Sequence, residues 1–339
     1  MMDKARQVLA GDIGGTKTRM AIFDVAGKKL HSVIERTYPS GDYASLHDII
    51  EDFLGSGDTQ PDAACFGIAG PVRNNTVDVT NLPWQISAAE IVKRFGLPRV
   101  TLLNDLEANA WGLCALDNKD FRILNAGVDN PGGNAAIIAA GTGLGEAGLY
   151  RDGDRLRPFA TEGGHTDFSP GSELEIDLLR FLTARYGHVS WERLVSGPGL
   201  VNIHDFLVQY RKHPVAEWLR DDMRANDPAA AISRAAQSGR DAICVEALEV
   251  FVHLYGVEAG NLALKMMASG GVYLGGGIAP KILEQLESGT FMAAFRAKGR
   301  MQVLLDHMPV RVILNDRTAL YGPAVYAGNA RVQTRTKPG

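Results

Sequence analysis

Two apolar runs near the start of the chain, Val8–Ala10 and Arg19–Phe23, flank the glycine-rich segment between them and predict two antiparallel strands joined by a tight hairpin. A third strand is predicted at Lys29–Arg36. The period then changes: Leu46, Ile49, Ile50 and Phe53 recur at helical spacing, predicting a helix over Tyr43–Leu54 that stops at Gly55. Short apolar strands follow at Ala63–Ile68, which ends in Ala69-Gly70-Pro71, and at Val100–Leu103, which ends in Asn104-Asp105 ahead of a helix beginning near Glu107.

Beyond Leu116 the polar loops 117–120 and 130–133 mark a lobe boundary. The second lobe carries the apolar run Ala135–Ala140 into Gly141-Thr142-Gly143, a glycine-bounded loop at Glu162–Pro170, and helices over Glu173–Arg185 and about Asp241–Ala268. Val272-Tyr273-Leu274 then leads into a third glycine turn, Gly275–Gly277. The last strand, Val310–Leu314, resembles those of the first lobe. The expectation is therefore a small α/β lobe from residues 1–116 plus about 310–339, and a larger α+β lobe from residues 117–309.

A composition of 45% hydrophobic and 22% charged residues with a net charge of −4 describes a soluble globular protein with no general pull toward nucleic acid or membrane. Cys65, Cys114 and Cys244 stand singly, so neither a structural zinc site nor a disulfide framework is expected, and a reducing, cytoplasmic compartment is. The first strand opens within a few residues of Met1, which is read as leaving no room for a signal sequence or a DNA-binding domain.

Glycines directly after a strand expose backbone N–H groups that bind phosphate oxygens. Gly14, Gly15, Thr16 and Lys17 form one such nest and Gly141, Thr142 and Gly143 a second, which suggests one nucleotide held at two turns. Asp12 sits where strand meets turn. It reads either as a carboxylate that organises Mg²⁺ through water or as a turn-forming aspartate capping its own hairpin. Gly14-Gly15-Thr16-Lys17 has the wrong spacing for a Walker loop, and Gly143-Leu144-Gly145-Glu146-Ala147-Gly148 runs on as a strand, without the helix a dinucleotide-binding turn needs. Nucleotide plus Mg²⁺ points to phosphoryl transfer.

Asp105 has two readings of equal standing: a base that orients and deprotonates an attacking hydroxyl, or a helix N-cap. Glu162 and His165, close together on a glycine turn, and Glu192 suit recognition of a polyol by ionised acceptors. A zinc site and plain surface residues are the alternatives. Trp84 reads as a sugar platform or a buried tryptophan, and His188 and His253 as structural histidines.

With these residues in order, the chain resembles the bacterial glucokinase family. The resemblance runs through GDIGGTKTR, LLNDLEANAWG, AAGTGLGEAGL, EGGHTDF, GHVSWERLVSGPGLVNI and YLGGGIAPKI, six ordered motifs covering nearly the whole chain. It implies an α/β, two-lobed, actin-like ATPase (ribonuclease H-like) fold with an interlobe cleft that closes over sugar and ATP. It implies transfer of the ATP γ-phosphoryl group to the 6-hydroxyl of glucose with Asp105 as base, glucose held by Asn104, Asp105, Glu162, His165 and Glu192, the adenosine end at Gly275, Gly276 and Gly277, and a homodimer. The segment after Glu162–His165 carries no cysteine cluster, so the resemblance is to the zinc-free type. A kinase for another hexose, and a non-catalytic nucleotide or sugar sensor on the same fold, remain alternatives.

Overall fold

The first hairpin forms as its pattern requires: β1 (Arg6–Ile13) and β2 (Lys17–Ala26) pair antiparallel, with Ile13 opposite Thr18. The computed structural model describes residues 6–26, 29–55, 60–79, 82–128, 130–153 and 155–329. Residues 1–5 and 330–339, the two ends of the expected small lobe, lie outside the described residues. The chain divides into two compact units, Met1–Asp120 with Asn315–Gly339, and Phe121–Leu314.

In the first unit β3 (Lys29–Pro39) runs past its predicted end at Arg36, because it pairs with β2 as far as Pro39 opposite Lys17. Helix α1 (Leu46–Leu54) begins after Ser45, whose side chain caps the Asp48 N–H, so Tyr43 stays extended. Strand β4 (Ala63–Ile68) is followed by a ribbon of β5 (Thr76–Asp78) and β6 (Gln85–Ser87), then α2 (Ala88–Phe95), β7 (Val100–Asn104) and α3 (Asp105–Gly112). The sheet order is β3-β2-β1-β4-β7, with β1, β4 and β7 parallel. All six residues of β4 are buried, as a central parallel strand covered on both faces should be.

The second unit is built on a sheet in which β8 (Phe121–Asn125), β9 (Ala135–Ala140), β10 (Leu144–Asp152) and β11 (Arg155–Thr161) come first in the chain. Helices α4 (Glu173–Tyr186), α5 (Gly197–Tyr210), α6 (Glu217–Ala225) and α7 (Pro228–Gln237) gather on one another and on the 25-residue α8 (Ala242–Met266), which packs on the sheet. Strand β12 (Gly271–Gly275), the short helices α9 (Leu283–Glu287), α10 (Thr290–Arg296) and α11 (Gln302–Asp306), and β13 (Val310–Ile313) complete it. The order is β11-β10-β9-β12-β13-β8.

Strand β13 corrects one expectation. It lies between β12 and β8 in the second sheet, so the chain returns to the first unit only from Asn315 and not from residue 310. An apolar run of this length fits any buried strand, and only its parallel pairing with Val272–Leu274 decides which sheet receives it. The returning segment forms α12 (Thr318–Gly328). Leu320, Ala324 and Ala327 of α12 cover the Val8, Ala10 and Cys65 face of the first sheet, while Leu46, Ile49, Ile50 and Phe53 of α1 cover the Leu9, Ala64 and Phe66 face.

Candidate active site

In the first unit the chemistry-bearing residues stand at the carboxyl ends of parallel strands. Asp12 of β1 is opposite Gly67 of β4, and Ile68 of β4 is opposite Asn104 of β7, so Asp12 and Asn104-Asp105 come to one edge of the sheet. Open α/β sheets place their ligands at that edge.

The helix-capping alternative for Asp105 is taken by its neighbour. Asn104 is the N-cap of α3, and its Oδ1 accepts from the N–H groups of Leu106 (2.9 Å) and Glu107 (3.4 Å). Asn104 Nδ2 donates to Gly70 O at 3.3 Å. Asp105 is the first helical residue, half-buried, with Oδ1 accepting from Leu106 N at 2.9 Å. The charge of Asp105 reaches Asp12, whose own carboxyl is pushed up to about 6 by burial, against the pull of Arg19 and with a further push from Asp105.

The first glycine turn is pinned from outside by a residue that carries no motif. Ser40 Oγ donates to Gly14 O at 2.7 Å and stands 3.0 Å from Thr18 Oγ1, while Ser40 N donates to Thr16 O at 3.0 Å. Gly14 N donates to Lys17 O across the turn at 3.0 Å, leaving Thr16 and Lys17 exposed at its crest. Arg19, opposite Asp12 in the hairpin, is held by Asp316 at 2.9 Å.

In the second unit two glycine turns lie side by side, because β9 and β12 are parallel neighbours with Gly275 opposite Ala139. Ile278 N donates to Ala140 O at 3.2 Å, which ties Gly275–Gly277 to the start of Gly141-Thr142-Gly143. Gly197 N, at the start of α5, donates to Gly141 O at 2.8 Å. A 14-residue helix therefore opens beside the turn, with its first N–H groups engaged by Gly141 O and Ser196, and with Pro198 carrying none, so that its dipole alone faces the turn. Neither Ser196, the cap of that helix, nor Ser40 was marked by sequence spacing, since each acts through a partner distant in the chain.

The three side chains expected to recognise a polyol come together in this unit. His165 Nδ1 is 3.9 Å from Glu192 Oε1, and His165 Nε2 is 3.9 Å from Glu162 Oε2. Glu192 Oε2 also accepts from Leu144 N at 3.1 Å, so the same carboxylate joins the cluster around His165 to the strand that leaves the glycine turn. Gly143 permits this approach, because a Cβ there would stand 2.6 Å from Glu192 Oε2. Among the described residues no three His, Cys, Asp or Glu side chains gather as metal ligands. Trp84 is buried, with Nε1 donating to Tyr43 O at 3.3 Å, which is its packing role.

Residues 9–330 match the family model described as Glucokinase. The chain belongs to the glucokinase family. It is similar to a glucokinase of Nostoc sp., 41% identical over 336 residues that cover 94% of this chain and 98% of the relative. It is likewise 41% identical to a glucokinase of Synechocystis sp. over 348 residues, covering 95% and 98%. Among solved structures, a glucokinase from an Antarctic psychrotroph superposes with a TM-score of 0.85 at 30% identity, covering 96% of this chain and 99% of that one. A Balamuthia mandrillaris glucokinase in complex with glucose shares the fold, with a TM-score of 0.74 at 21% identity and coverage of 96% and 94%. Glucokinases are hexose kinases of the actin-like ATPase fold, so the chain is a transferase of that architecture.

Proposed function

We propose that the chain transfers the γ-phosphoryl group of ATP to the 6-hydroxyl of D-glucose, giving glucose 6-phosphate, with Asp105 as the catalytic base. The observation that carries this reading is the division of labour at the end of β7. Asn104 caps the helix, and Asp105, one residue on, stands at the ligand-binding edge within electrostatic reach of Asp12.

Asp105 orients the attacking hydroxyl and accepts its proton as the O–P bond forms and the bond to ADP breaks. Glu162, His165 and Glu192 hold sugar hydroxyls, the carboxylates as ionised acceptors and the imidazole between them fixing their spacing. Beyond Gly14 N and Gly141 N, which bond within their own turns, Gly14–Lys17 and Gly141–Gly143 offer backbone N–H donors where negative charge accumulates, and Gly275–Gly277, tied through Ile278 to Ala140 at the start of the second turn, takes the adenosine end.

Asp12 fits Mg²⁺ held through water. Its carboxyl is lifted to about 6 by burial and by Asp105, a concentration of negative charge that a cation relieves. One or two carboxylates suffice for an ion that keeps part of its hydration shell. When bound, Mg²⁺ neutralises phosphate charge. No helix among the described residues is long and apolar enough to cross a membrane. A cytoplasmic homodimer is the setting in which we place this activity, on the family resemblance.

The reading is tested by coupled ADP release across a panel of hexoses with ATP and Mg²⁺. Glucose should give the highest kcat/KM. Preference for mannose or an N-acetylated amino sugar would move the assignment to another hexose kinase, and saturable sugar binding without turnover would make the chain a sensor.

A further inference from the structure

Beneath the turn that carries Glu162 and His165 lie two buried carboxyls that the phosphoryl-transfer chemistry does not use. Glu146 of β10 is 1% exposed and Glu258 of α8 is 0% exposed. They are within hydrogen-bonding reach of one another. Among the described residues neither Glu146 Oε1 nor Glu258 Oε1 has a hydrogen-bond donor. Asn261 Nδ2 donates to Glu258 Oε2 at 2.8 Å, and Lys265 Nζ, on a half-exposed side chain, stands 3.5 Å from Glu258 Oε1. Two neighbouring carboxyls, each with one oxygen that lacks a donor, are satisfied together by one proton held between them.

The pair also touches the turn. The Glu146 carboxyl occupies the space beside Gly163 that a side chain there would fill. Thr161, the register partner of Glu146, donates through Oγ1 to Glu146 O at 3.0 Å and accepts from Gly163 N at 3.3 Å. Gly163 opens the single turn Gly163–His165, with Glu162 immediately before it. Any shift of the Glu146 carboxyl is therefore passed to the backbone between Glu162 and His165.

We propose that Glu146 and Glu258 are positioning residues: they share one buried proton, and the proton-bridged pair sets the Glu162–His165 turn for glucose. This rests on the reading of that turn as the sugar site. Loss of the proton to water leaves two carboxylates side by side, with Lys265 as the nearest cation. Lys298 is also packed near α8, but its Nζ donates to Val257 O at 3.0 Å and burial lowers its pKa. The Tyr255 phenol donates to Ile138 O at 3.3 Å and burial holds its proton on. Glu175, farther along, is paired with His253 at 3.2 Å. Burial raises both carboxyls; the Glu258 charge pushes Glu146 up further, while Asn261, Lys265 and the hydrogen bond with Glu146 pull Glu258 part of the way back, so the shared proton stays with the pair at neutral pH.

The test is the pH profile of the glucose KM between about pH 7 and about pH 9.5, above the ordinary range of histidine and below that of lysine. In the wild type the glucose KM should rise about tenfold toward the alkaline end while the ATP KM changes less than about twofold, a tenfold change being one pKa unit of difference between sugar-free and sugar-bound protein. Glu258→Gln and Glu146→Gln each leave one neutral donor facing one carboxylate, so both should keep the neutral-pH KM and lose the alkaline rise. Difference infrared spectroscopy of the wild type should show a protonated carboxyl band at neutral pH that disappears in step with the rise in KM; this reading needs no variant to fold. A flat wild-type glucose KM, an alkaline rise that survives in both glutamine variants, or no protonated carboxyl band would overturn the proposal. Absence of glucose phosphorylation at any pH would instead count against the assignment of function.

Discussion

The Glu192 carboxylate receives the Leu144 N–H at 3.1 Å with one oxygen and faces His165 at 3.9 Å with the other. One side chain thus joins the strand that leaves the second glycine turn to the cluster proposed to recognise the sugar. Substitution of Glu192 by glutamine keeps the length and removes the ionised acceptor. Charge-assisted hydrogen bonds contribute about 1.5–3 kcal/mol, so Glu192→Gln should raise the glucose KM by roughly tenfold to a hundredfold. Steady-state kinetics with glucose varied at saturating ATP checks this, and an unchanged KM would remove Glu192 from the sugar site.

Gly143→Ala probes the same contact from the other side. The added methyl would stand 2.6 Å from Glu192 Oε2, closer than a Cβ tolerates, and the carboxylate must move. The glucose KM should rise although alanine adds no charge and touches no sugar. Pairing it with Glu192→Gln in a double-mutant cycle should give strong non-additivity, because both changes disturb one contact.

Asp105→Asn should lower kcat by about 10²–10⁴, the usual range for removal of a general base, with nucleotide affinity nearly unchanged. Asn104 keeps the cap in that variant, so thermal stability should hold. A variant with near-wild-type kcat would require another base.

Asp12 ties activity to stability. Its carboxyl is raised from 3.8 to about 6 in the folded protein. The folded state therefore holds the proton more tightly than the unfolded chain, and this contribution is full below about 4 and lost as pH rises through about 6. Asp12→Asn should raise stability at pH 8, by on the order of 1–3 kcal/mol at most, while depressing Mg²⁺-dependent turnover. Denaturant unfolding at two pH values together with an Mg²⁺ titration of activity separates the two effects.

Much of this site was legible because its elements are local. The Asp12 hairpin, the strand ending in Asn104-Asp105 and the glycine turn after Ala140 are each signalled by apolar runs broken by glycine or polar residues. The strand expected after Gly143 is also present, β10 continuing through Gly148. The features that sequence missed are those fixed by distant partners. Ser40 reaches the Gly14 turn through strand pairing. The place of Val310–Ile313 depends on parallel pairing with β12, and Glu146 meets Glu258 only through packing of α8 on the sheet. The choice of cap was also beyond spacing: Asn104 and Asp105 are both good caps, and geometry alone gives the position to Asn104.

Ser40→Ala isolates one of these distant contributions. Loss of the bond to Gly14 O and of the partner for the buried Thr18 hydroxyl should cost about 1–3 kcal/mol of stability and raise the ATP KM more than the glucose KM. Denaturant midpoints and the two KM values read this directly.

The most direct measurement is the simultaneous yield of ADP and glucose 6-phosphate from glucose, ATP and Mg²⁺ with the purified protein. The account predicts one glucose 6-phosphate for each ADP, with both products nearly abolished in Asp105→Asn. ADP formed without glucose 6-phosphate, or no sugar-dependent ADP at all, would contradict it.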